Sequence, residues 1–517
     1  MPNTVPAAAR SAVVVAVDQG TSGTKALVID GSGDIIARAQ VSLTQQHPRP
    51  GWVEQDPLVI RDSVVLAITD SLKGIDAPVL GLGISTQRES AMIWDRETGQ
   101  PLGPILGWQD RRTAEQAKNL IIDGAGPFVR RATGLPIDPM FSALKIQWLL
   151  DSVDPDRRLS RAGKIAAGTI DSWLVSCLTG EHRIEAGNAS RTQLLNLDSV
   201  DWDQELLTLF NVPHQVLPNV VASNAPSAPL SGLIEGARVQ AVMGDSHSAL
   251  YAHGVRGPGM VKATYGTGSS VMGLLKDGTH SDDMSGLVRT LAWHDGTVHY
   301  AFEGNILATG ATAVWLAQVL DVDVPHLDSL ARTVDDSGGV NFVPAFAGLG
   351  SPWWDECAEA AISGFNLGTN SAHLARAAFE AIALQIEDVL AAAEKSVSPR
   401  ISSVLADGGP TSNAWLMQLQ ADLSQRTVLR SSVPDLSALG VAHMAAIATG
   451  LCSREKVDGL PRSRTEITPL MSMLKAEERR TSWSRAVARS RWIPELPSPS
   501  HNPQGPTRTA LAHTSRK

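Results

Sequence analysis

Eight consecutive residues near the start of the chain, Asp18-Gln19-Gly20-Thr21-Ser22-Gly23-Thr24-Lys25, combine the groups that phosphate chemistry needs. Glycines let backbone N–H groups approach an anion, the Thr21 and Ser22 hydroxyls donate to it, and Lys25 supplies charge. A carboxylate cannot meet phosphate directly, but Asp18 can hold a magnesium ion that bridges phosphate oxygens. The stretch is neither a P-loop nor a Rossmann fingerprint, because no GxxxxGK or GxGxxG opens a helix here. Alone, it is equally an ordinary glycine-rich turn. A second copy changes the balance: Tyr265-Gly266-Thr267-Gly268-Ser269-Ser270 repeats the small, hydroxyl-bearing tip between two apolar runs. The repetition suggests two related halves facing each other, with both tips clasping the phosphates of one nucleotide.

Three further positions carry chemistry. Asp245, after Gly244 at a strand end and before a helix, can accept a hydroxyl proton, although it would serve equally as a helix cap. Arg88-Glu89, also at a strand end, suits vicinal hydroxyls, since Glu accepts and Arg donates; a surface ion pair is its plainer reading. Asp407-Gly408-Gly409 before a helix reads as a backbone-lined nucleotide pocket or as a plain strand–helix turn. Trp108 could wall a carbon skeleton or simply fill a core. His47, His247 and His253 have no partners at metal-ligand spacing and read as structural, and Cys177 lacks a nucleophile's context.

The elements that must position these groups follow from periodicity. Apolar, β-branched runs predict strands at 12–17, 26–29, 35–41, 79–85, 91–94, 241–243 and 404–406, and around the second tip at 260–275. A turn is expected at Lys276-Asp277-Gly278. Helices are expected from Pro57 to about Leu72, from Trp108, over 140–150, over 165–177 and 202–210, and from Ala414. The clearest runs from Ser371 to about Lys395 behind an Asn370/Ser371 cap.

With 517 residues the chain has room for two or three domains, and 43% hydrophobic with 19% charged residues is a globular composition. A net charge of −9 without a basic cluster argues against nucleic acid as a partner. Three scattered cysteines exclude a disulfide framework and point to a reducing cytoplasm. The N-terminus does not read as a signal peptide, and no apolar stretch reaches 18 residues, so no membrane span is expected.

From Val13 to Leu451 the chain resembles the FGGY carbohydrate kinases, and within them the glycerol kinases. The carriers are Val17–Ser22, Pro50–Pro57, Gln87-Arg88-Glu89, Trp108–Arg112, Asn188–Thr192, Tyr265–Gly268, Pro344-Ala345-Phe346 and Asp407-Gly408-Gly409. Both family signatures are close to satisfied, at Met140–Leu149 and at Ala360–Glu380, the latter with Phe365 where a smaller aliphatic is usual. The resemblance implies an α/β fold of two actin-like (ribonuclease H-like) domains around a nucleotide-binding cleft. Expected divisions are a flexible 1–11, an acceptor- and phosphate-binding domain 12–254, a nucleotide-binding domain 255–465, and an extension 466–517 disordered from about 498. It also implies ATP and Mg2+, with Asp245 as base, Asp18 and Asp245 at the metal, and nucleotide contacts from Thr21, Ser22, Gly23, Lys25, Thr267, Gly310, Gly409 and Asn413. Arg88, Glu89 and Asp245 align with the grip on glycerol's hydroxyls and Trp108 with an apolar wall.

Departures fall on the acceptor side. Glycerol kinases follow the catalytic aspartate with glutamine, and here it is Ser246; they place tyrosine before the Phe-Ser of the first signature, and here it is Met140. They carry an aromatic where Ser270 stands. Together the three substitutions imply a larger pocket and an acceptor longer than glycerol, a four- or five-carbon polyol or ketose held at one end. A xylulokinase-like ketose kinase is the second enzyme reading, and an actin- or Hsp70-like ATPase module is the rival of another class. A homo-oligomer is left open.

Overall fold

The computed structural model describes residues 12–276, 284, 286–396 and 400–491. The expectations for segment 1–11, for the Lys276-Asp277-Gly278 turn beyond its first residue and for the tail from about 498 fall outside them.

A five-stranded sheet carries the first tip. Strands β1 (Val13–Gly20), β2 (Gly23–Asp30) and β3 (Ile35–Ser42) form an antiparallel meander. Next to β1, and parallel to it, run β4 (Val79–Thr86) and then β5 (Val239–Gly244), giving the order β5-β4-β1-β2-β3. Residues 13–17 are buried on both faces, which is why they read as a continuous apolar run and not as an alternating one. Helix α1 (Pro57–Ser71) covers one face; Asp56 caps it, accepting from the Leu58 and Val59 amides, and proline takes its first turn.

The second sheet repeats the plan. Strands β6 (Met260–Tyr265), β7 (Ser269–Leu274), β8 (Val288–His294), β9 (Val298–Ile306), β10 (Ser403–Asp407), β11 (Thr427–Ser431) and β12 (Arg464–Ile467) lie in the order β8-β9-β7-β6-β10-β11-β12. Its middle, β9-β7-β6-β10-β11, matches β3-β2-β1-β4-β5 in sense: a meander continued by two parallel strands. The tip Gly266–Gly268 therefore holds the same place in this sheet as Thr21-Ser22 in the first.

Helix α2 (Asp245–Ala252) follows β5 directly. Helices α3 (Gly310–Val319), α4 (Ser371–Ser396) and α5 (Ala414–Ser424) pack on the second sheet. Helix α6 (Leu436–Ala448) is apolar all round and buried, as such a helix must be. It belongs to the chain's second half but packs against α2 and the first sheet, so Ala16, Met243, Leu405, Val441 and Ala445 share one core between the halves. The contact with α2 is close: a Cβ on Gly440 would lie 1.9 Å from the Ser248 carbonyl oxygen. Helix α7 (Met473–Ser490) closes the described chain, with Trp483 buried against α4.

Three expectations need correction. Residues 165–177 are not one helix: Ile165–Thr169 is a wholly buried strand paired with Ala91–Asp95, and the helix is Ile170–Thr179. A strand buried on both faces has no period of its own to separate it from a helix. Residues 201–202 are a short strand, and the helix there is Gln204–Leu209, capped by Asp203. Trp108 does not open a helix; Asp110 accepts from the Val53 and Arg112 amides and holds a turn, and the helix starts at Ala114.

Candidate active site

The three parallel strands of the first sheet end side by side, with Asp18 opposite Ser85 and Gly244 opposite Thr86. Ligands of open α/β sheets gather at such carboxyl ends. Asp18 accepts from the Ser85 hydroxyl at 3.0 Å. Burial, and then the charge of Asp245, push the Asp18 carboxyl up to about 7. Asp245 is the first residue of α2, and its Oδ1 lies 3.3 Å from Arg88 Nε. Its surroundings raise its pKa by desolvation, against the pull of Arg88, while about a third of the side chain stays accessible, 36%. Two carboxylates that oppose each other's ionisation beside a hydroxyl-lined turn suit a divalent cation, which would take its other oxygens from phosphates and water. No cluster of three His, Cys, Asp or Glu occurs among the described residues.

Arg88 and Glu89 stand where β4 ends, but not as a simple pair. Both terminal nitrogens of Arg88 donate to Glu303 on β9, at 2.9 and 2.7 Å. Its Nε has no hydrogen-bond partner among the described residues and faces Asp245. Glu89 takes a left-handed backbone with φ 61°, held by the Ser142 hydroxyl and Lys145 ammonium on its carbonyl, while Arg191 Nε donates to its carboxylate at 2.6 Å. Arg191 also lies 3.0 Å from Glu303. The network is buried throughout. Despite that burial, Arg191 and Arg88 hold the Glu303 carboxyl far below the ordinary range. Neither Glu303 nor Arg191 was among the expected site residues. No local pattern announces Glu303, whose arginine partner is 215 positions away.

Around this network the acceptor-side candidates converge. Ser270 donates to Glu303 at 2.7 Å. Met140 packs with Leu135, Phe141 and Val288, and with Trp108 at the edge. Trp108 donates its indole N–H to the Thr21 hydroxyl at 3.1 Å, which ties this side chain to the first tip. Ser246 is half-buried beside Asp245, its amide donating to that carboxylate. His247, fully buried, is kept neutral by burial and the neighbouring Arg88.

The nucleotide candidates separate into two places. Thr21, Ser22, Gly23 and Lys25 form the first tip; Lys25 is engaged by Asp435 at 2.8 Å, so the charge it brings is partly neutralised. Thr267, Gly310, Gly409 and Asn413 all line one cavity of about 990 Å3, whose walls include Trp315, Phe379 and Ile382. Such an apolar slot with few polar groups suits a purine. Gly408 bends the chain into it at φ +96°, where a Cβ would meet the Tyr265 carbonyl at 2.0 Å. Asn413 is committed locally: its carbonyl oxygen caps α5 and its amide donates to Asp328. Below the cavity His253 meets Asp407 at 2.7 Å; against its burial, His253 and Lys262 hold that carboxyl down.

Two meander-plus-parallel sheets around a shared core, with a cavity beside the second tip, define the two-domain actin-like class. The chain belongs to the FGGY family of carbohydrate kinases: the family's N-terminal-domain model matches residues 13–250 and its C-terminal-domain model residues 261–449. It is 40% identical to a glycerol kinase of Citrifermentans bemidjiense over 92% of this chain and 98% of that one. It is likewise 40% identical to an apulose kinase of Pectobacterium atrosepticum over 93% and 99% of the two chains. The structure of Plasmodium falciparum glycerol kinase with ADP superposes with a TM-score of 0.86 at 26% identity, covering 94% and 99%. No helix among the described residues is long and apolar enough to cross a membrane.

Proposed function

We propose that the protein transfers the ATP γ-phosphoryl group to a primary hydroxyl of a four- or five-carbon polyol or ketose. The observation that carries the acceptor's length is Ser270, which turns to Glu303 where a bulky side chain would fill the space beside Arg88. Similarity at the same 40% to a glycerol kinase and to an apulose kinase supports a pocket not tied to glycerol. The xylulokinase-like reading shares the reaction and differs only in the acceptor.

In this reading Glu89 accepts from one acceptor hydroxyl and Arg88 Nε donates to another, while Met140, Trp108, Ser246 and Ser270 shape the wall. Asp245 takes the proton of the attacking hydroxyl as its oxygen bonds to the γ-phosphorus and the bond to ADP breaks. Asp18 and Asp245 would hold a magnesium ion, which would supply neutralisation of phosphate charge. The tips at Thr21–Lys25 and Thr267 hold the phosphates in line, and the cavity at Gly310, Gly409 and Asn413 takes the base. Residues 12–254 then serve the acceptor and phosphates and 255–465 the nucleotide.

ADP release, followed with ATP, magnesium and a panel of glycerol, tetritols, pentitols and ketoses, tests the proposal. A four- or five-carbon compound should give the highest kcat/KM; glycerol ahead of all of them would sink the longer acceptor. Asp245→Asn should lower kcat by roughly 10²–10⁴-fold with ATP binding retained. Undiminished turnover would contradict the assignment of the base.

A further inference from the structure

We infer that a cavity behind the cleft, between the β2–β3 turn and the chain entering β12, binds a small phosphate-bearing anion. The cavity holds about 450 Å3 and is walled by both halves of the molecule: Asp34 and Arg38 from the first, His443, Arg462 and Arg464 from the second. His443, on α6, is only 4% exposed, and neither ring nitrogen has a hydrogen-bond partner among the described residues. A buried imidazole left unpaired costs free energy that a bound acceptor would recover. Arg464 is in the same condition: one terminal nitrogen donates to the His253 carbonyl, and its buried Nε has no partner among the described residues.

The charge is unbalanced as well. Among the described residues neither Arg462 nor Arg464 forms an ion pair within 4 Å. Arg462 spends its donors on the carbonyls of Ala252, Val457, Asp458 and Leu460. Arg38 reaches no nearer than 3.7 Å to Asp435. The single carboxylate on the wall, Asp34, accepts from the Ser32 hydroxyl at 2.9 Å. With the donors of Arg462 committed, the remaining donors of Arg464, the exposed Arg38 fork and the His443 ring are left to meet a phosphoryl group, whose several oxygens accept from more than one donor. Leu436, Leu439 and Leu460 on another wall leave room for a short carbon chain beside it.

The place gives the site a use. Arg462 holds the Ala252 carbonyl and Arg464 the His253 carbonyl, at the end of the helix whose first residue is Asp245. Eight residues of helix separate the two ends by about 12 Å. An anion drawn to Arg464 therefore bridges the two halves behind the cleft and bears on the helix that carries the proposed base.

Calorimetry on the full chain tests this, with magnesium and a non-hydrolysable ATP analogue in the nucleotide slot and a saturating polyol acceptor in the acceptor pocket, so that the active site is occupied before the probe is added. Inorganic phosphate, and separately glycerol 3-phosphate, should each bind at one site per chain. Arg464→Gln should weaken that binding at least tenfold. Arg38→Gln, an exposed change that leaves the fold alone, should weaken it severalfold. The tighter of the two probes identifies free phosphate or a phosphate ester as the source. Absence of binding with the cleft filled, or binding indifferent to both substitutions, overturns the site. Calorimetry of this kind reads no turnover, so that outcome leaves the kinase reading where it stood.

Discussion

Position 270 shows how one side chain can set the length of an acceptor. The serine there is half-buried and donates to Glu303, which in turn grips Arg88, so a larger residue would project where the acceptor's far end is proposed to lie. Ser270→Phe should cut kcat/KM for four- and five-carbon acceptors by about 10–200-fold relative to glycerol, the range that a misfit in an apolar pocket gives. Parallel kinetics on both classes check it; an unchanged ratio would remove Ser270 from the pocket. Asp388, remote from the cleft, makes a different kind of prediction. Burial pushes its carboxyl from 3.8 up to about 7, while the Trp483 indole N–H donates to it at 2.8 Å. The folded chain thus holds this proton more tightly than the unfolded one, and the resulting stability is full below about pH 4 and is lost as pH rises through about 7. Asp388→Asn removes that loss, so thermal melts should show the variant gaining on the parent between about pH 4 and about pH 7. At this scale the placement was legible where a contiguous motif follows a strand: Asp18, Arg88-Glu89 and Asp245 stand at the strand ends where the sequence put them. Glu303 was not, because its role exists only once β9 brings it to Arg88 and Arg191.

At the scale of elements, the packing of α6 on α2 connects stability to the site. Glycine inside an exposed helix costs about 1 kcal/mol against alanine, so Gly440→Ala would ordinarily stabilise. Here the added methyl would meet the Ser248 backbone at 1.9 Å, and Ser248 cannot move without α2. Overpacking of this kind costs about 1–3 kcal/mol, which outweighs the propensity gain. Gly440→Ala should lower the denaturation midpoint and also reduce kcat, since the helix displaced is the one that starts at Asp245; a stabilised, fully active variant would refute the close contact. The sequence offered the two tips, the first meander, the second hairpin and the long capped helix α4, where Asn370 accepts from the Ala372 amide as its type and place suggest. It concealed α6, because a helix apolar on every face has no amphipathic period, and it merged Ile165–Thr169 with the helix behind it for the same reason. Burial on all sides erases the pattern by which elements are read.

Across the whole molecule, the two halves meet through charge as well as through core. Arg88 and Arg191 belong to the first half and Glu303 to the second, and all three are nearly or fully buried. The arginines of the proposed acceptor grip are thus oriented by a carboxylate that the second half supplies. Separation of the halves would leave two guanidinium groups without their shared partner. Glu303→Gln keeps the shape and removes the charge. Breaking a buried ion pair from one side costs about 3–5 kcal/mol, so the melting temperature should fall by several degrees. A purely structural role would stop there. If Glu303 orients Arg88, the acceptor KM should also rise at least tenfold while the KM for ATP stays within about twofold, because the slot at Gly310, Gly409 and Asn413 does not include it. Acceptor-independent ADP release should increase in the same variant. Equal losses for both substrates would assign Glu303 to stability alone, and a loss confined to the acceptor would mark it as the residue through which the second half readies the first.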